Sequence, residues 1–393
     1  MIWDDELRAE LATLHGAGLA RRLAALESAA GPRAVLDGRA VLMFGSNNYL
    51  GLASDARVRE AAIAATGELG VGSGGSRLLS GNHILNDELE AEIAAFKGCA
   101  AAVLFASGYA ANVGSIPALV GRDDLILSDE LNHASIIDGC RLSRAHTRVY
   151  GHSDVAAAAR LLSAERSKFR RALIVTDGVF SVDGDIARLG ELCELAEAHE
   201  AAVYVDDAHG VGVLGEGGRG TARHLGVDDH ASLIQMGTLS KAFGSLGGYV
   251  AASDAVVETL RQRSRALIFS HGLPPAVLSA ARRSLQILRD EPGLVSVLRD
   301  KASRLRNGLR DRGLRVSEGE TPIVPVIVGE AEAATALAGE CVTRGLYAPA
   351  IRPPSVPEGT SRIRLAAMAT HADEDIDRAV DIVSASARKA GIA

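Results

Sequence analysis

Short apolar runs of strand length alternate with segments of helical periodicity through the middle of the chain. The runs occupy residues 101–105, 125–127, 173–175, 201–206, 232–236 and 247–252, and residues 148–150 are expected to form an edge strand. Nearly continuous apolar runs are typical of strands buried on both faces, with helices covering the sheet. The pattern therefore predicts an α/β fold built on a large, mostly parallel, seven-stranded sheet.

The pattern changes at both ends of the chain. Leu7, Leu11 and Leu14 share one face of a predicted N-terminal helix, and a short strand follows at residues 41–44. After Pro274 and Pro275 a long helical region extends to residue 312, and alternating α and β segments complete the chain. We expect an N-terminal helix and strand segment at 1–50, a large sheet domain at 51–285 and a small α+β domain at 286–393.

Composition and charge restrict the class of protein. A chain of 393 residues exceeds what one hydrophobic core usually serves, and its net charge of −7 is spread without acidic or basic blocks. We therefore expect no nucleic-acid partner and no membrane partner. The N-terminus is acidic and lacks the features of a secretion signal. The four cysteines are scattered without a C-x-x-C pair, which favours a reducing cytoplasmic location and no metal site.

Glycine-rich loops raise the possibility of a dinucleotide site. The pattern G-x-G-x-x-G occurs three times, beginning at Gly70, Gly210 and Gly215. At Gly70 a helix precedes the loop instead of a strand, and no acidic residue ends a following strand at the expected distance. We therefore reject a Rossmann oxidoreductase.

Two neighbouring strand ends carry the most informative polar side chains. Asp206 and His209 follow the run at 201–206, and Thr238 and Lys241 follow the run at 232–236. The carboxyl ends of strands in an open α/β sheet border the crevice where ligands bind. A buried lysine there can become nucleophilic, and a carboxylate can keep a pyridine nitrogen protonated. This combination predicts a Schiff base between Lys241 and pyridoxal 5′-phosphate, with Asp206 facing the ring nitrogen.

Other residues fit the same cofactor. Ser107, Gly108 and Tyr109 lie at a predicted strand-to-helix turn, where backbone N–H groups and the helix dipole favour a phosphate. His133 has a flat face that could stack on the ring, and Ser181 and His209 could bind its phenolic oxygen. Arg352, held between Ile351 and two prolines, is the candidate for pairing with an amino-acid carboxylate.

These segments resemble the α-oxoamine synthases, a family of fold-type I pyridoxal-phosphate enzymes. The resemblance runs nearly from end to end and is carried by GSGGS at 72–76, SGYAAN at 107–112, NHAS at 132–135, DGVFSVDGD at 177–185, VDDAHG at 205–210, TLSKAFG at 238–244 and IRPPSVPEGT at 351–360. The last segment and GLPP at 272–275 favour the branch of the family that makes 8-amino-7-oxononanoate.

The resemblance implies a reaction and an assembly. The reaction is a decarboxylative condensation of L-alanine with a pimeloyl thioester, carried on CoA or on acyl carrier protein, in biotin biosynthesis. The assembly is a homodimer with active sites at the subunit interface. The large domain is then the cofactor-binding domain, and the chain is an acyltransferase.

The family's functional residues carry over position by position. Lys241 would hold the cofactor and move the α-proton, and His133 would stack on the ring and help to place substrate. The other cofactor contacts implied are Asp206, His209, Ser181, Gly108, Tyr109 and Thr238. Arg352 and Ser355 would contact substrate, and Arg21 would contact the far end of the acyl chain.

Three positions depart from the family pattern, and three alternatives stay open. Tyr109 replaces a phenylalanine, Ser355 a threonine, and His271 a threonine associated with the partner subunit's cofactor phosphate. A related enzyme using glycine and acetyl-CoA, or another acyl thioester, is one alternative. A metal hydrolase built on Asp206, Asp207, His209 and His133 is the second, and a non-catalytic relative is the third.

Overall fold

The fold was analysed in a computed structural model, which describes residues 2–16, 20 and 22–392. Within these ranges the strands are β1 (Arg33–Leu36), β2 (Arg39–Met43), β3 (Ala101–Phe105), β4 (Leu125–Asp129), β5 (His146–Tyr150), β6 (Ala172–Asp177), β7 (Ala202–Asp206), β8 (Leu233–Thr238), β9 (Gly248–Ala252), β10 (Ile323–Gly329), β11 (Leu346–Tyr347), β12 (Ala350–Ile351) and β13 (Ser361–Ala366).

The α-helices are distributed along the whole described chain. They are α1 (Asp4–Gly16), α2 (Ala56–Leu69), α3 (Ile84–Lys97), α4 (Gly108–Leu119), α5 (Ala134–Ser143), α6 (Val155–Glu165), α7 (Leu189–Ala198), α8 (Thr221–His224), α9 (Asp254–Arg263), α10 (Arg265–Ile268), α11 (Pro275–Asp290), α12 (Gly293–Asp311), α13 (Ala331–Thr343) and α14 (Asp373–Lys389).

Seven strands form the central sheet in the order β3-β9-β8-β7-β6-β4-β5. The five strands from β8 to β5 are parallel, and β9 runs antiparallel to both of its neighbours. The sheet contains every strand expected between residues 100 and 252, and β5 lies at its edge as expected. The predicted α/β architecture is therefore confirmed.

The sheet is buried because its strands are apolar on both faces. On β6, Leu173 and Val175 pack into one hydrophobic cluster and Ile174 packs into another. On β7, Tyr204 belongs to the first cluster and Val205 to the second. Successive side chains of a strand point to opposite faces. Helices must therefore cover both faces, which leaves the carboxyl ends of the strands as the open edge of the sheet.

Two smaller sheets lie outside the central one: β10-β13-β12, from the C-terminal part, and β1-β2-β11, in which the N-terminal strands pair with β11. Leu42 and Phe44, from the N-terminal segment, share a hydrophobic cluster with Leu305 and Leu365. Chain start and chain end thus pack together. We propose the divisions at residues 50 and 285 as domain boundaries, with the N-terminal strands associated with the small domain.

Two helical predictions change in detail. The region from 275 to 312 is two helices, α11 and α12, separated at Glu291 and Pro292, because a proline cannot donate the backbone hydrogen bond that a continuous helix requires. Helix α1 forms, but Leu7, Leu11 and Leu14 stay 44–54% exposed. Their apolar face is therefore not buried within the described chain. No helix in the described ranges is long and apolar enough to cross a membrane.

Candidate active site

Lys241 lies in the turn that follows β8. Its carbonyl accepts a hydrogen bond from the N–H of Gly244 at 2.9 Å, which closes the turn. Exclusion of water by the surrounding protein lowers the pKa of the Lys241 amine. The carboxylates of Asp206 and Asp177 act in the opposite direction, and the Arg364 guanidinium lowers the pKa further. A lysine with a lowered pKa is more often the neutral amine, which is the nucleophilic form.

Asp206 is fixed at the carboxyl end of β7. Its Oδ2 accepts a hydrogen bond from Asn112 Nδ2 at 2.7 Å, and its Oδ1 accepts one from the N–H of Ala208 at 3.0 Å. Asp177 lies beside it in register on β6. Burial, followed by the charge of Asp206, raises the pKa of Asp177 well above its usual range. A raised pKa favours the protonated form of Asp177 beside Asp206.

His133 caps the start of α5 beside this acid pair. Its backbone N–H donates to Asp177 Oδ2 at 2.7 Å, and its Nδ1 lies 2.6 Å from Ser135 Oγ. The side chain is exposed to the crevice. The surrounding protein displaces enough water to lower the pKa of His133, Asp206 opposes this, and Lys241 adds to it. A neutral imidazole with an open face can stack on a flat ring.

The N-terminus of α4 forms an anion seat next to β8. Ser107 caps this twelve-residue helix by accepting from the N–H of Ala110 at 3.1 Å. A Cβ added at Gly108 would lie 3.4 Å from Thr238 Oγ1, and that hydroxyl is 2.8 Å from Ser240 Oγ. The first N–H groups of a helix and the Ser240 hydroxyl can donate to a phosphate, while the Thr238 hydroxyl donates to the carbonyl of Gly247 at 2.9 Å. The residues present therefore fit a phosphorylated cofactor.

The neighbouring Tyr109 is oriented by a single hydrogen bond. Its hydroxyl donates to Asp138 Oδ2 at 2.5 Å, and that bond raises the pKa of the phenol. The side chain is 49% exposed, so the phenol ring stands at the rim of the anion seat.

His209 lies buried beneath the crevice. Its Nδ1 is 2.6 Å from the hydroxyl of Tyr49. Burial, and then the charges of Lys241 and Arg364, lower the pKa of His209 well below its usual range. Tyr49 was missed in the sequence because its segment reads as a polar turn after the strand at 41–44.

Arg364 is the second residue that the sequence analysis missed. It projects from β13, where its Nε donates to the carbonyl of Ser181 at 2.6 Å and its Nη1 donates to Asn47 Oδ1 at 3.1 Å. Its Nη2 lies 3.4 Å from the Tyr49 hydroxyl. Each terminal nitrogen carries two N–H groups, so one on each is left for a ligand. A signal was available, since Arg362 and Arg364 alternate with apolar residues in a buried strand.

The other predicted site residues lie in a groove beside the N-terminal segment. Arg352 donates to the carbonyl of Ala20 at 3.0 Å and lines this groove with Ser355. The groove has a volume of about 1020 Å³, and its other lining residues are Leu11, Leu14, His15, Ala20, Arg22, Leu23, Ala350, Ile351, Pro353 and Pro354. Arg21 lies outside the described residues. The groove is therefore largely apolar with basic side chains in its wall.

The four residues of the metal-hydrolase alternative do not converge. Asp207 turns away from Asp206 and forms a buried ion pair with Lys97 at 3.1 Å, where Thr221 Oγ1 also donates to it at 2.6 Å. Within the described ranges, no group of three or more His, Cys, Asp or Glu side chains is arranged to hold a metal ion. The arrangement around Asp206 therefore does not support this alternative.

Comparisons with known proteins extend over nearly the whole chain. The family model for class I and II aminotransferases matches residues 39–383. An 8-amino-7-oxononanoate synthase from Geotalea daltonii is 49% identical over 385 residues, covering 98% of both chains. One from Symbiobacterium thermophilum is 45% identical over 392 residues, covering 100% of both.

Solved structures give the same picture. The Sphingomonas wittichii serine palmitoyltransferase superposes with a TM-score of 0.93 at 32% identity and covers 99% of this chain and 98% of its own. The Francisella tularensis 8-amino-7-oxononanoate synthase superposes with a TM-score of 0.76 at 28% identity, covering 89% and 98%.

Proposed function

Because the chain belongs to the class I and II aminotransferase family, and within it to the α-oxoamine synthases, we propose that it condenses L-alanine with a pimeloyl thioester. The products would be 8-amino-7-oxononanoate, CO2 and the free thiol. The predicted family, the acyltransferase class and the pyridoxal 5′-phosphate cofactor are confirmed by this membership. The observation behind the amino-acid part of the proposal is that the charges of Asp206 and Arg364 both act on Lys241, while the full-length relatives support the pimeloyl donor.

We propose that the residues around the crevice hold the cofactor in one orientation. Lys241 would bind the aldehyde carbon, Asp206 would pair with the ring nitrogen and His133 would stack on the ring. His209 and Ser181 would contact the ring oxygen, while Gly108, Tyr109 and Thr238 would surround the phosphate end. When bound, pyridoxal phosphate supplies an electron sink for the carbanion left by proton loss or decarboxylation. The neutral Lys241 amine is suited to moving the α-proton.

The two arginines suit different parts of the substrates. Arg364 has the fixed, partly unsatisfied fork that pairs with an α-carboxylate, and its charge reaches Lys241. We therefore assign the alanine carboxylate to Arg364 in preference to Arg352. Arg352, Ser355 and the groove would receive the acyl thioester, with Arg21 at the far carboxylate as the sequence predicts.

An apolar patch on the surface supports the proposal that the protein forms a homodimer. The patch consists of Ile63, Val71, Leu78, Leu79, Ile84 and Phe269, each at least 59% exposed. Its two main segments are joined where Ser76 pairs with His271 and where the N–H of Gly272 donates to the carbonyl of Gly75. Exposed apolar patches of this kind mark protein interfaces. A second copy seated here would bring the exposed His271 towards the partner's cofactor phosphate.

The test is a matrix of acyl donors and amino acids, with CO2 release as the readout. We expect turnover with L-alanine and pimeloyl-CoA or pimeloyl-acyl carrier protein to exceed turnover with glycine and acetyl-CoA. Lys241→Ala serves as the inactive control. Borohydride should bleach the yellow protein and label Lys241. Preference for glycine with acetyl-CoA would overturn the pimeloyl assignment and support the related ligase instead.

A further inference from the structure

We propose that Tyr49 fixes the tautomer of His209, so that Nδ1 accepts a hydrogen bond and Nε2 carries the proton. On the proposed function, that Nε2–H would be the donor to the ring oxygen of the cofactor. Tyr49 would then be a positioning residue, acting through the imidazole instead of touching the reacting atoms.

The geometry gives the Tyr49 proton two choices. The hydroxyl lies 2.6 Å from His209 Nδ1 and 3.2 Å from Asn47 Oδ1, and the Tyr49 side chain is fully buried. Arg364 can act only as a donor, so its Nη2 at 3.4 Å occupies a lone pair of the hydroxyl and does not compete for the proton. Asn47 Oδ1 already accepts from Arg364. The shorter distance favours His209 as the acceptor.

The charges around the pair keep both partners neutral. Burial raises the pKa of Tyr49, although Arg364 opposes this. Burial lowers the pKa of His209, and the three basic groups that face it, Lys241, Arg364 and His133, lower it further. A neutral phenol can donate to a ring nitrogen that lacks a proton or accept from one that carries it. The separation of 2.6 Å between the Tyr49 hydroxyl and His209 Nδ1 is typical of an O–H donor and short for an N–H donor, which makes Tyr49 the donor.

The tautomer follows from this hydrogen bond. A neutral imidazole has one N–H and one acceptor nitrogen, and the partner of one nitrogen decides which is which. Among the described residues, His209 makes no side-chain hydrogen bond besides the one through Nδ1. The proton is therefore assigned to Nε2.

The first experiment measures the tautomer without the cofactor. Long-range proton–nitrogen NMR spectra of cofactor-free protein with ¹⁵N-labelled histidine would be compared between wild type, Tyr49→Phe and a matched control. A His209→Gln sample identifies the signals of that residue. The control is Tyr249→Phe, which also removes a buried hydroxyl from the same core cluster, but one without a hydrogen-bond partner among the described residues.

We expect the Nε2–H form in wild type and in Tyr249→Phe, and a mixture of tautomers in Tyr49→Phe. An Nδ1–H form in wild type would overturn the proposal, and so would an unchanged tautomer in Tyr49→Phe. Because the cofactor is absent, this result does not depend on the substrates. Failure of the donor matrix would overturn the proposed function without touching this inference.

The second experiment reads the cofactor side in the holoenzyme. A hydrogen-bond donor stabilises negative charge on the ring oxygen of the cofactor. This lowers the pKa of the ionisable proton next to that oxygen, and loss of the donor should raise that pKa. Tyr49→Phe should therefore raise the midpoint of the pH-dependent change in visible absorption by about one pH unit. Tyr249→Phe should keep the wild-type midpoint. Equal midpoints in all three proteins would show that the His209 tautomer does not affect the ionisation of the cofactor. That result would overturn the part of the proposal that concerns the cofactor.

Discussion

Individual arginines decide how the crevice is charged. Ile363 and Leu365 of β13 enter the hydrophobic core, whereas Arg362 and Arg364 on the other face are buried with polar partners. Arg362 pairs with Asp183, and Arg364 binds the Ser181 carbonyl and Asn47. A buried charge is costly unless its hydrogen bonds are satisfied. The free N–H groups of Arg364 are therefore the part of this strand with unused binding capacity.

At this scale we predict that Arg364 and Arg352 bind different substrates, alanine and the acyl donor respectively. Arg364→Lys should raise the KM for alanine by about 10- to 100-fold, because an ammonium cannot replace a bidentate fork. Arg352→Lys, the matched control, should change the KM for the acyl donor more than that for alanine. Steady-state kinetics with each substrate varied in turn would check this. If Arg352→Lys raises the KM for alanine more than Arg364→Lys does, the alanine carboxylate binds Arg352 instead.

Among the connecting elements, the segment at 178–187 is tied to the central sheet by a histidine. His152 joins it to the central sheet, with Nδ1 3.1 Å from Asp129 and Nε2 2.9 Å from Asp185. The ring also meets Phe180 edge-on at 4.4 Å. The hydrogen bonds to Asp129, and then to Asp185, raise the pKa of His152 to about 10. A protonated His152 thus clamps the segment whose Ser181 carbonyl orients Arg364.

We predict that this clamp makes stability depend on pH in the alkaline range. The folded pKa of His152 lies above the value of about 6.5 in an unfolded chain, so the stabilisation is complete below that value. It is lost as pH rises through about 10. Because the ring is partly exposed, we expect only about 1 kcal/mol at neutral pH.

The measurement is the melting temperature of wild type and His152→Gln across this range. The difference between them should shrink between neutral pH and pH 10, and His146→Gln, an exposed histidine on β5, should show no such trend. A difference that stays constant with pH would contradict the clamp.

For the whole molecule, local patterns predicted most of the fold and several of the polar residues that border the crevice. Lys241, Asp206, His209 and Thr238 were found because charged and hydroxyl residues at the ends of buried strands stand out in the sequence. Tyr49 and Arg364 were missed because they reach the crevice from distant segments through tertiary packing. The break at Pro292 and the exposed face of α1 were missed because helical periodicity does not reveal what a face packs against.

The apolar patch supports one prediction about assembly. Leu79→Glu should weaken self-association, because it places a charge on a side chain that is 84% exposed and would be buried against a second copy. Val149→Glu is the control, since β5 lies at the edge of the sheet opposite β3.

Sedimentation would separate the two variants. We expect Leu79→Glu to move towards the 40.8 kDa mass of one chain and to lose cofactor absorption, with Val149→Glu like wild type. If Leu79→Glu and Val149→Glu self-associate equally strongly, the dimer interface does not include Leu79.

The position of Arg364 near the end of the chain has a consequence for biosynthesis. A growing polypeptide leaves the ribosome from its N-terminus at about 5–20 residues per second. Tyr49, Asp206 and Lys241 emerge well before β13, and the central sheet has all seven strands by residue 252. The arginine that we assign to the amino acid therefore arrives last. On this assignment, a chain that ends before β13 lacks the group that binds the alanine carboxylate, so the crevice gains its full affinity for alanine only late in synthesis.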